Sequence, residues 1–583
     1  MFEETDTIPE ALVEPSSFRP GEQPVGTEHP MKPLTRRQLL RAAAISGVAL
    51  AGGSILAACG GSSQGPATVT VTFTTNGYPG DSMPTAAQQK SDISLKAYAD
   101  ALSAWLKQNP GVTIKHTDTS IWNQQVMTSA ISAGTSPTWF EGSILGSFIN
   151  NVVFSAFARG LAADVTSLVQ STNLLSQLTP EYVPGFNYWK VNGKYYGTPG
   201  GYGDGDGMFF RRDLIKAAGL VEPTPGWTWE DFRKLAQQLQ AANPKMKGAS
   251  LQFYVFDQSL YANGLNSGAT GYGQLGLNPT PSNSWPWRYD LTPWISTYEQ
   301  VVNNWRGMYY TDKTITSALT TGDSDVAQAF ARGDVAMCAD NTSFFTRSLS
   351  DPSNVANIAL KLNQPFEDVV GWISHPIGSL GSFGATQAGG VVCSIDPKFQ
   401  RNPPALAKAF DFAVQFLIGQ ALVNQRQEIY RSTHDLKQVF LEIPPMSKLQ
   451  VNYGLGNVTA ADAWGSLTIN AVNAAGAIPL LPDPALYFPA EKNAGPTGDA
   501  WNDANSGLAY TQDSISSVLS KLQSTQNAQF ASLSSSTDQA TFTAAAKKFF
   551  ADSDAFWAKY APIFSAEQFH PWYEQTVLPA LGG

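Results

Sequence analysis

The sequence predicts an α/β protein in two large lobes, with a predominantly helical C-terminal region, and three observations carry that prediction. The first structured stretch alternates strand, helix, strand, helix, the pattern of a parallel sheet covered by helices. The same alternation continues to about residue 240. A cut before Cys59 leaves 583 − 58 = 525 residues, too many for one ordinary core.

Residues 1–30, rich in Pro, Glu and Thr, read as a leader without a core of its own, lost with the signal that follows. Arg36, Arg37 and Arg41 form a positive n-region, and Thr35-Arg36-Arg37-Gln38-Leu39-Leu40 resembles a twin-arginine export signal. The apolar run Ala42 to Leu56 is interrupted by Gly47, Gly52 and Gly53 and is too short to cross about 30 Å of hydrocarbon. Residues 1–58 therefore read as leader and signal peptide. "LAAC" at 56–59 is similar to a bacterial lipobox, which makes Cys59 the lipidated first residue of the mature chain, a firm anchor when it carries two acyl chains. Gly60, Gly61, Ser62 and Ser63 begin a flexible tether over 59–67.

Each element is then read in order. "TVTVTF" (68–73) alternates β-branched and apolar residues as a strand. Leu95, Tyr98, Leu102 and Leu106 recur at helical spacing until "NPG" at 109–111 stops them. "VTIKHT" is the next strand, and a helix runs from about Trp122 to Ala133, ending at Gly134. "ARGLAADVTSLV", "NGKYYGTP", "MFFRRDLIKAAGL" and "TWEDFRKLAQQLQ" extend the alternation to residue 240. In the last, Thr228 is the expected N-cap and Asp231 supports the first turn. Residues 405–430 read as a long helix or a pair, 478–498 as a proline-rich crossing segment, and the chain beyond about Ala500 as mostly helical.

The mature chain has 37 − 5 = 32 Lys and Arg against 47 − 7 = 40 Asp and Glu, a net charge of −8, which attracts neither nucleic acid nor anionic lipid. Abundant Asn, Gln, Ser, Thr, Gly and aromatics suit a surface that meets neutral polar ligands. No second apolar segment reads as a membrane span. Cys338 and Cys393 lie in short apolar runs, either as buried thiols, the commoner state, or as an exported disulfide.

Seven segments, in this order, resemble one family: "WLKQNPGVTIKH", "VMTSAISAGTSPTWF", "ARGLAADVTSL", the long run from "VNGKYYGTPGGYGDGDGMFFRRDLIKAAGL" to "TPGWTWEDFRKLAQQL", "FARGDVAMCADNTSFF", "GGVVCSIDPKFQRNPPALAKAFDFAVQFL" and "EIPPMSKL". Over roughly 68–520 the chain resembles the extracellular solute-binding proteins of ABC importers, family 1, which include maltose- and oligosaccharide-binding lipoproteins. Three positions depart from the family pattern: Thr138 stands where an acidic residue is usual, Arg211 where Asn is usual, and "NTSFF" replaces a Gly-x-Trp segment.

The resemblance implies a periplasmic-binding-protein-like fold, two α/β lobes joined by hinge strands that close on a ligand. It implies a first lobe at 68–196 and 390–470 and a second at 201–388 and 471–583, the latter with a helical tail longer than the family usually has. It also implies a monomer that needs no cofactor or metal, lipid-anchored at the outer face of the cell membrane and delivering a carbohydrate to permease subunits. By matched landmarks the ligand residues are Asn76, Trp122 and Glu141 from the first lobe. From the second they are Tyr202, Asp204, Asp206, Asp257, Asn341 and Phe344, with Trp372 and Tyr487 in late loops. Phe344 stands where the family's stacking Trp usually does. Trp122 and Trp372 also fit as core rings, and Asp204 and Asp206 also fit as turn caps.

Other classes find less support. A polyamine is the alternative ligand suggested by Asp204, Asp206 and Glu141, and a short peptide is a second. A glycoside-acting enzyme needs two carboxylates at a set separation, which sequence alone cannot display. "GDGDG" lacks the rest of a calcium loop, the one Gly-x-Ser-x-Gly string (61–65) falls in the tether and not at a strand-to-helix elbow, and no His-Glu-x-x-His occurs. His375 and His570 each precede a proline and read as local structural residues.

Overall fold

The structure is a computed structural model that describes residues 70–75, 82–119, 124–142, 156–157, 159–200, 206–252, 255–265, 275–277, 287–317, 323–341, 351–383, 392–441, 443, 445–475, 498–533 and 539–581. The leader, signal, tether and Cys59 lie outside them.

Its strands in chain order are β1 (Val71–Thr75), β2 (Val112–His116), β3 (Trp139–Glu141), β4 (Thr198–Pro199), β5 (Asp206–Arg211), β6 (Lys247–Ser250), β7 (Leu275–Leu277), β8 (Trp287–Tyr289), β9 (Ile315–Thr316), β10 (Val335–Asn341), β11 (Val370–Ser374) and β12 (Val392–Ile395). In the first lobe β1 and β2 pair in parallel, and β12 lies between β3 and β4, antiparallel to both. Thr138 joins the two groups: its N–H donates to Thr74 O (2.7 Å) and its Oγ1 accepts from Thr74 N (3.0 Å). The departure at this position thus supplies a side-chain acceptor that stitches the sheet.

The second lobe has a five-stranded sheet in the order β11-β5-β10-β6-β9. β6 runs parallel to β10 and β9, while β5 is antiparallel to β10 and β11. Side chains alternate across this sheet with period two. Met208, Phe210, Met337, Ala339 and Ile373 enter one core, whereas Phe209, Cys338, Val370 and Trp372 enter another on the opposite face. Both faces are therefore covered.

Helix boundaries follow the sequence signals. α1 (Ile93–Gln108) ends just before Asn109-Pro110, and α2 (Gln124–Ala133) ends at Gly134. Thr228 caps α3 (Trp229–Ala242) through a capping box with Asp231. In the turn between the bridged residues Val191 and Lys194, Asn192 and Gly193 both have positive φ (52° and 75°), as a two-residue hairpin loop demands. α4 (Val255–Tyr261) and α5 (Ile295–Arg306) precede β9. The apolar stretch at 405–430 resolves into a pair, α6 (Pro403–Leu417) and α7 (Gln420–Thr433). Pro403–Thr433 is by length and composition apolar enough to cross a membrane, contrary to the expectation, but it is mostly buried and serves as core.

The first core is held by interlocking aromatic rings. Phe412 contacts Trp105 (centroids 5.0 Å) and Trp139 (4.8 Å), while the indoles donate to Asp411 and to the Ala409 carbonyl. The expected first-lobe segment 390–470 is corrected here. Ala421 belongs to the first core, but Leu422, Val423, Phe440, Tyr453, Trp464 and Val472 pack with Phe209 and Trp372 on the second lobe. The chain crosses to the outer face of the second sheet along α7 and touches the first lobe again at 446–448, where Met446 joins the first core and Ser447 bridges Leu178.

Beyond 498 come α8 (Gly498–Tyr510), α9 (Ile515–Leu533), α10 (Gln539–Tyr560) and helical turns over 562–580. Leu508, Leu519, Phe549, Phe550 and Trp557 share the second-lobe core with Trp229, Phe232 and Trp305, so this region completes that core.

Trp557→Ala is expected to reduce unfolding free energy by about 3–5 kcal/mol in a denaturant titration, an effect absent if the C-terminal region merely rests on the surface. Cys338 and Cys393 are buried and not disulfide-bonded, in different sheets. Both thiols should resist an alkylating reagent in the native state and react once the chain is denatured.

Candidate functional site

Strand direction brings one set of ends together in each lobe. In the second sheet the C-terminal ends of β6, β9, β10 and β11 and the N-terminal end of β5 share an edge. In the first, β3 and β4 both run antiparallel to β12, so Glu141 and Pro199 share an edge. Only residues 200–205 separate Pro199 from Asp206, a span of at most about 25 Å fully extended. Pro199 and Asp206 are therefore tethered within that distance, and crevices at strand C-termini are where α/β sheets take ligands.

Asp206 and Asn341 are register partners across β5 and β10, side by side at this edge, and Gly207 pairs with Ser374 of β11. A Cβ on Gly207 would meet the Ile373 carbonyl oxygen at 2.3 Å and the Trp372 ring at 2.5 Å. One glycine of "GDGDG" is thus required by close packing rather than by a ligand. Glu141, half-buried, ends β3 opposite Cys393, which also pairs with Thr198.

Two expected ligand residues are corrected. Trp372 is 1% exposed and packs in the core with Phe209 and Trp464, because its place on β11 turns it to the covered face. Asp257 is 5% exposed on α4, and its carboxylate accepts from the Asn505 amide of α8, which leaves it inside the protein. Burial pushes its carboxyl up to about 8. Asn76, Trp122, Tyr202, Asp204, Phe344 and Tyr487 lie outside the described residues.

Residue type alone overlooked several groups at the edges. Gln252, directly beyond β6, is fully buried with neither amide atom hydrogen-bonded among the described residues. His375, directly beyond β11, is 2% exposed, and burial pushes its imidazole down to about 3, so it is neutral. Thr75 ends β1 and Thr198 begins β4, each with a buried hydroxyl that has no partner among the described residues. For Thr75 and His375 a polar residue at the end of a strand was the available signal. Ser317, beyond β9, bonds the Tyr510 hydroxyl at 2.7 Å, and burial pushes that phenol up to about 12. Among the described residues no group of His, Cys, Asp and Glu is arranged to hold a metal ion.

Residues 97–426 match the family of bacterial extracellular solute-binding proteins. The chain belongs to that family. Solute-binding proteins are exported receptors, and solved structures share the fold. UgpB from Mycobacterium tuberculosis, in complex with glycerophosphocholine, superposes with a TM-score of 0.51 at 14% identity, covering 81% of this chain and 99% of that one. The GacH receptor of Streptomyces glaucescens GLA.O, studied unliganded and with acarbose, gives 0.50 at 15% identity, covering 79% and 97%. No curated protein sequence matches this chain significantly. As in other solute-binding proteins the two lobes contribute separate sheets, here joined by the β4–β5 crossing.

Gly207→Ala is expected to cost about 1–3 kcal/mol through overpacking against β11. Denaturant melts check this; an unaltered protein would show that this edge tolerates movement.

Proposed function

We propose that this solute-binding protein is the receptor of an ABC importer for a neutral carbohydrate, held between its two lobes and delivered to membrane permease subunits. The observation that carries the reading is that only six residues connect the polar edge at Pro199 to the polar edge at Asp206 in a chain of this family. Neutral groups dominate the described edges: Gln252, uncharged His375, Thr75, Thr198 and Asn341, with Asp206 and Glu141 as the acidic exceptions. Sugars need hydrogen-bonding groups of fixed direction together with flat rings. Asn76, Trp122, Tyr202, Asp204, Asp206, Glu141, Asn341, Phe344 and Tyr487 are the proposed contacts. The acarbose complex of the GacH receptor favours an oligosaccharide by analogy, whereas the glycerophosphocholine complex of UgpB extends the fold's repertoire to a polar phosphodiester.

The receptor acts as a monomer without catalysis, exported by the twin-arginine signal and anchored through lipidated Cys59. A polyamine or a short peptide is the alternative ligand, since Asp206 and Glu141 supply negative charge at the two edges.

The test is thermal unfolding of the chain from Gly60 onward with neutral mono- and oligosaccharides, glycerophosphodiesters, polyamines and peptides. Ligand at a hundredfold excess over Kd adds about 2.7 kcal/mol and raises Tm. A rise with one sugar class and no product after long incubation supports the reading. A rise only with a cation, a peptide or a phosphodiester excludes a neutral carbohydrate, and turnover excludes a receptor without catalysis.

A further inference from the structure

The helical C-terminal region touches the ligand edge through two side-chain bonds. Asn505 Nδ2 of α8 donates to Asp257 Oδ1, five residues beyond Gln252 at the end of β6. Near the end of the same helix the Tyr510 hydroxyl bonds Ser317, directly beyond β9. Arg306 fixes that end of α8, donating to the carbonyls of Gly507 (3.0 Å), Leu508 (2.8 Å) and Asp513 (2.9 Å), two of them acceptors that the last helical turn leaves open.

Asp257 and Asn505 are both at least nine-tenths buried, yet the pair is half made. Asn505 Oδ1 is buried with no hydrogen-bond partner among the described residues. An ionised carboxylate only accepts, so it would leave that oxygen orphaned and a charge buried; a protonated carboxyl carries one O–H donor. We propose that Asp257 and Asn505 form a reciprocal carboxyl–amide pair, the Asp257 O–H donating to Asn505 Oδ1, and that this pair positions the segment beyond β6 at the ligand edge. This deepens the receptor reading and rests on it for the location of the edge.

Burial raises the Asp257 carboxyl to about 8, in keeping with a proton retained at neutral pH. Tyr510 interacts electrostatically with Asp257 and with Tyr309, and its own ionisation is pushed up to about 12, so it stays neutral across the relevant range. On the helices packed against α4, Glu299 of α5 and Asp503 of α8 are exposed, and Arg306 is engaged with backbone carbonyls. Asp257 is therefore a positioning residue.

The sign follows from the raised folded value. Below about pH 4 Asp257 is protonated both folded and unfolded; as pH rises towards 8 only the unfolded chain loses the proton, and the stability contribution drains away. Asp257→Asn keeps a neutral reciprocal pair that cannot titrate. Thermal unfolding of the chain from Gly60 onward, wild type against Asp257→Asn, should give curves that separate progressively between pH 4 and 8, the wild type falling faster. Curves that stay parallel would overturn the proposal. If Asp257→Asn does not fold, infrared spectroscopy of the wild type should show a protonated carboxyl C=O band at pH 6.5 that disappears near pH 8; its absence at pH 6.5 would overturn it equally.

For the positioning role, wild-type affinity for the ligand found by the screen should fall at least tenfold above pH 8, while Asp257→Asn shows no such step. A step shared by both proteins overturns the role of the pair. The unfolding and infrared arms need no ligand, so a failure of the carbohydrate reading cannot be confused with a failure of the pair.

Discussion

The chain leaves the first sheet at Pro199 and enters the second at Asp206, and the six residues between them constrain everything built around the site. So short a link keeps Pro199, on the edge carrying Glu141, within about 25 Å of Asp206, on the edge carrying Asn341. The reversal of β5 against β10 and β11 follows from the same link, since β5 begins where the other two end. The proposed ligand region, drawn from both lobes, follows from this connectivity. The relative motion of such lobes is the ordinary route by which receptors of this architecture close.

A sheet buried on both faces needs two coverings, and the second lobe obtains them from distant parts of the chain. One face is covered by α3, α5 and the C-terminal helices, where Trp229, Trp305, Leu508 and Trp557 share a core. The other takes residues from Phe440 to Val472, beyond α7. The long C-terminal region thus belongs to the hydrophobic construction of the lobe. Among the described residues its Asn505 and Tyr510 side chains bond the segments beyond β6 and β9, so that ordering the core also orders those segments.

Burial at those edges works against charge. It keeps His375 neutral, holds Asp257 protonated at neutral pH and suppresses ionisation of Tyr510. Charged groups taken from water lose solvation that a low-dielectric surrounding does not return, so the charged state retreats. Apart from Asp206, the described second-lobe edge is consequently polar through neutral hydrogen-bonding groups.

The sequence by itself determined the local features: the strands at both ends of α1, the N-cap of Thr228 with Asp231 in the first turn, the apolar helical stretch at 405–430 and the helical C-terminal region. These depend on interactions within a few residues, so composition and spacing suffice. Of the site, Asp206 and Asn341 were expected separately from sequence, and only strand pairing could set them opposite one another across 135 positions, 341 − 206. Tertiary structure alone decided that Trp372 is a core ring, that Asp257 meets Asn505, and that residues beyond α7 pack on the second lobe. Each of these depends on which partner lies across space, and a residue's own type and neighbours carry no record of that partner. An Asp in a loop and an Asp beneath a helix read alike until burial fixes which of them keeps its proton.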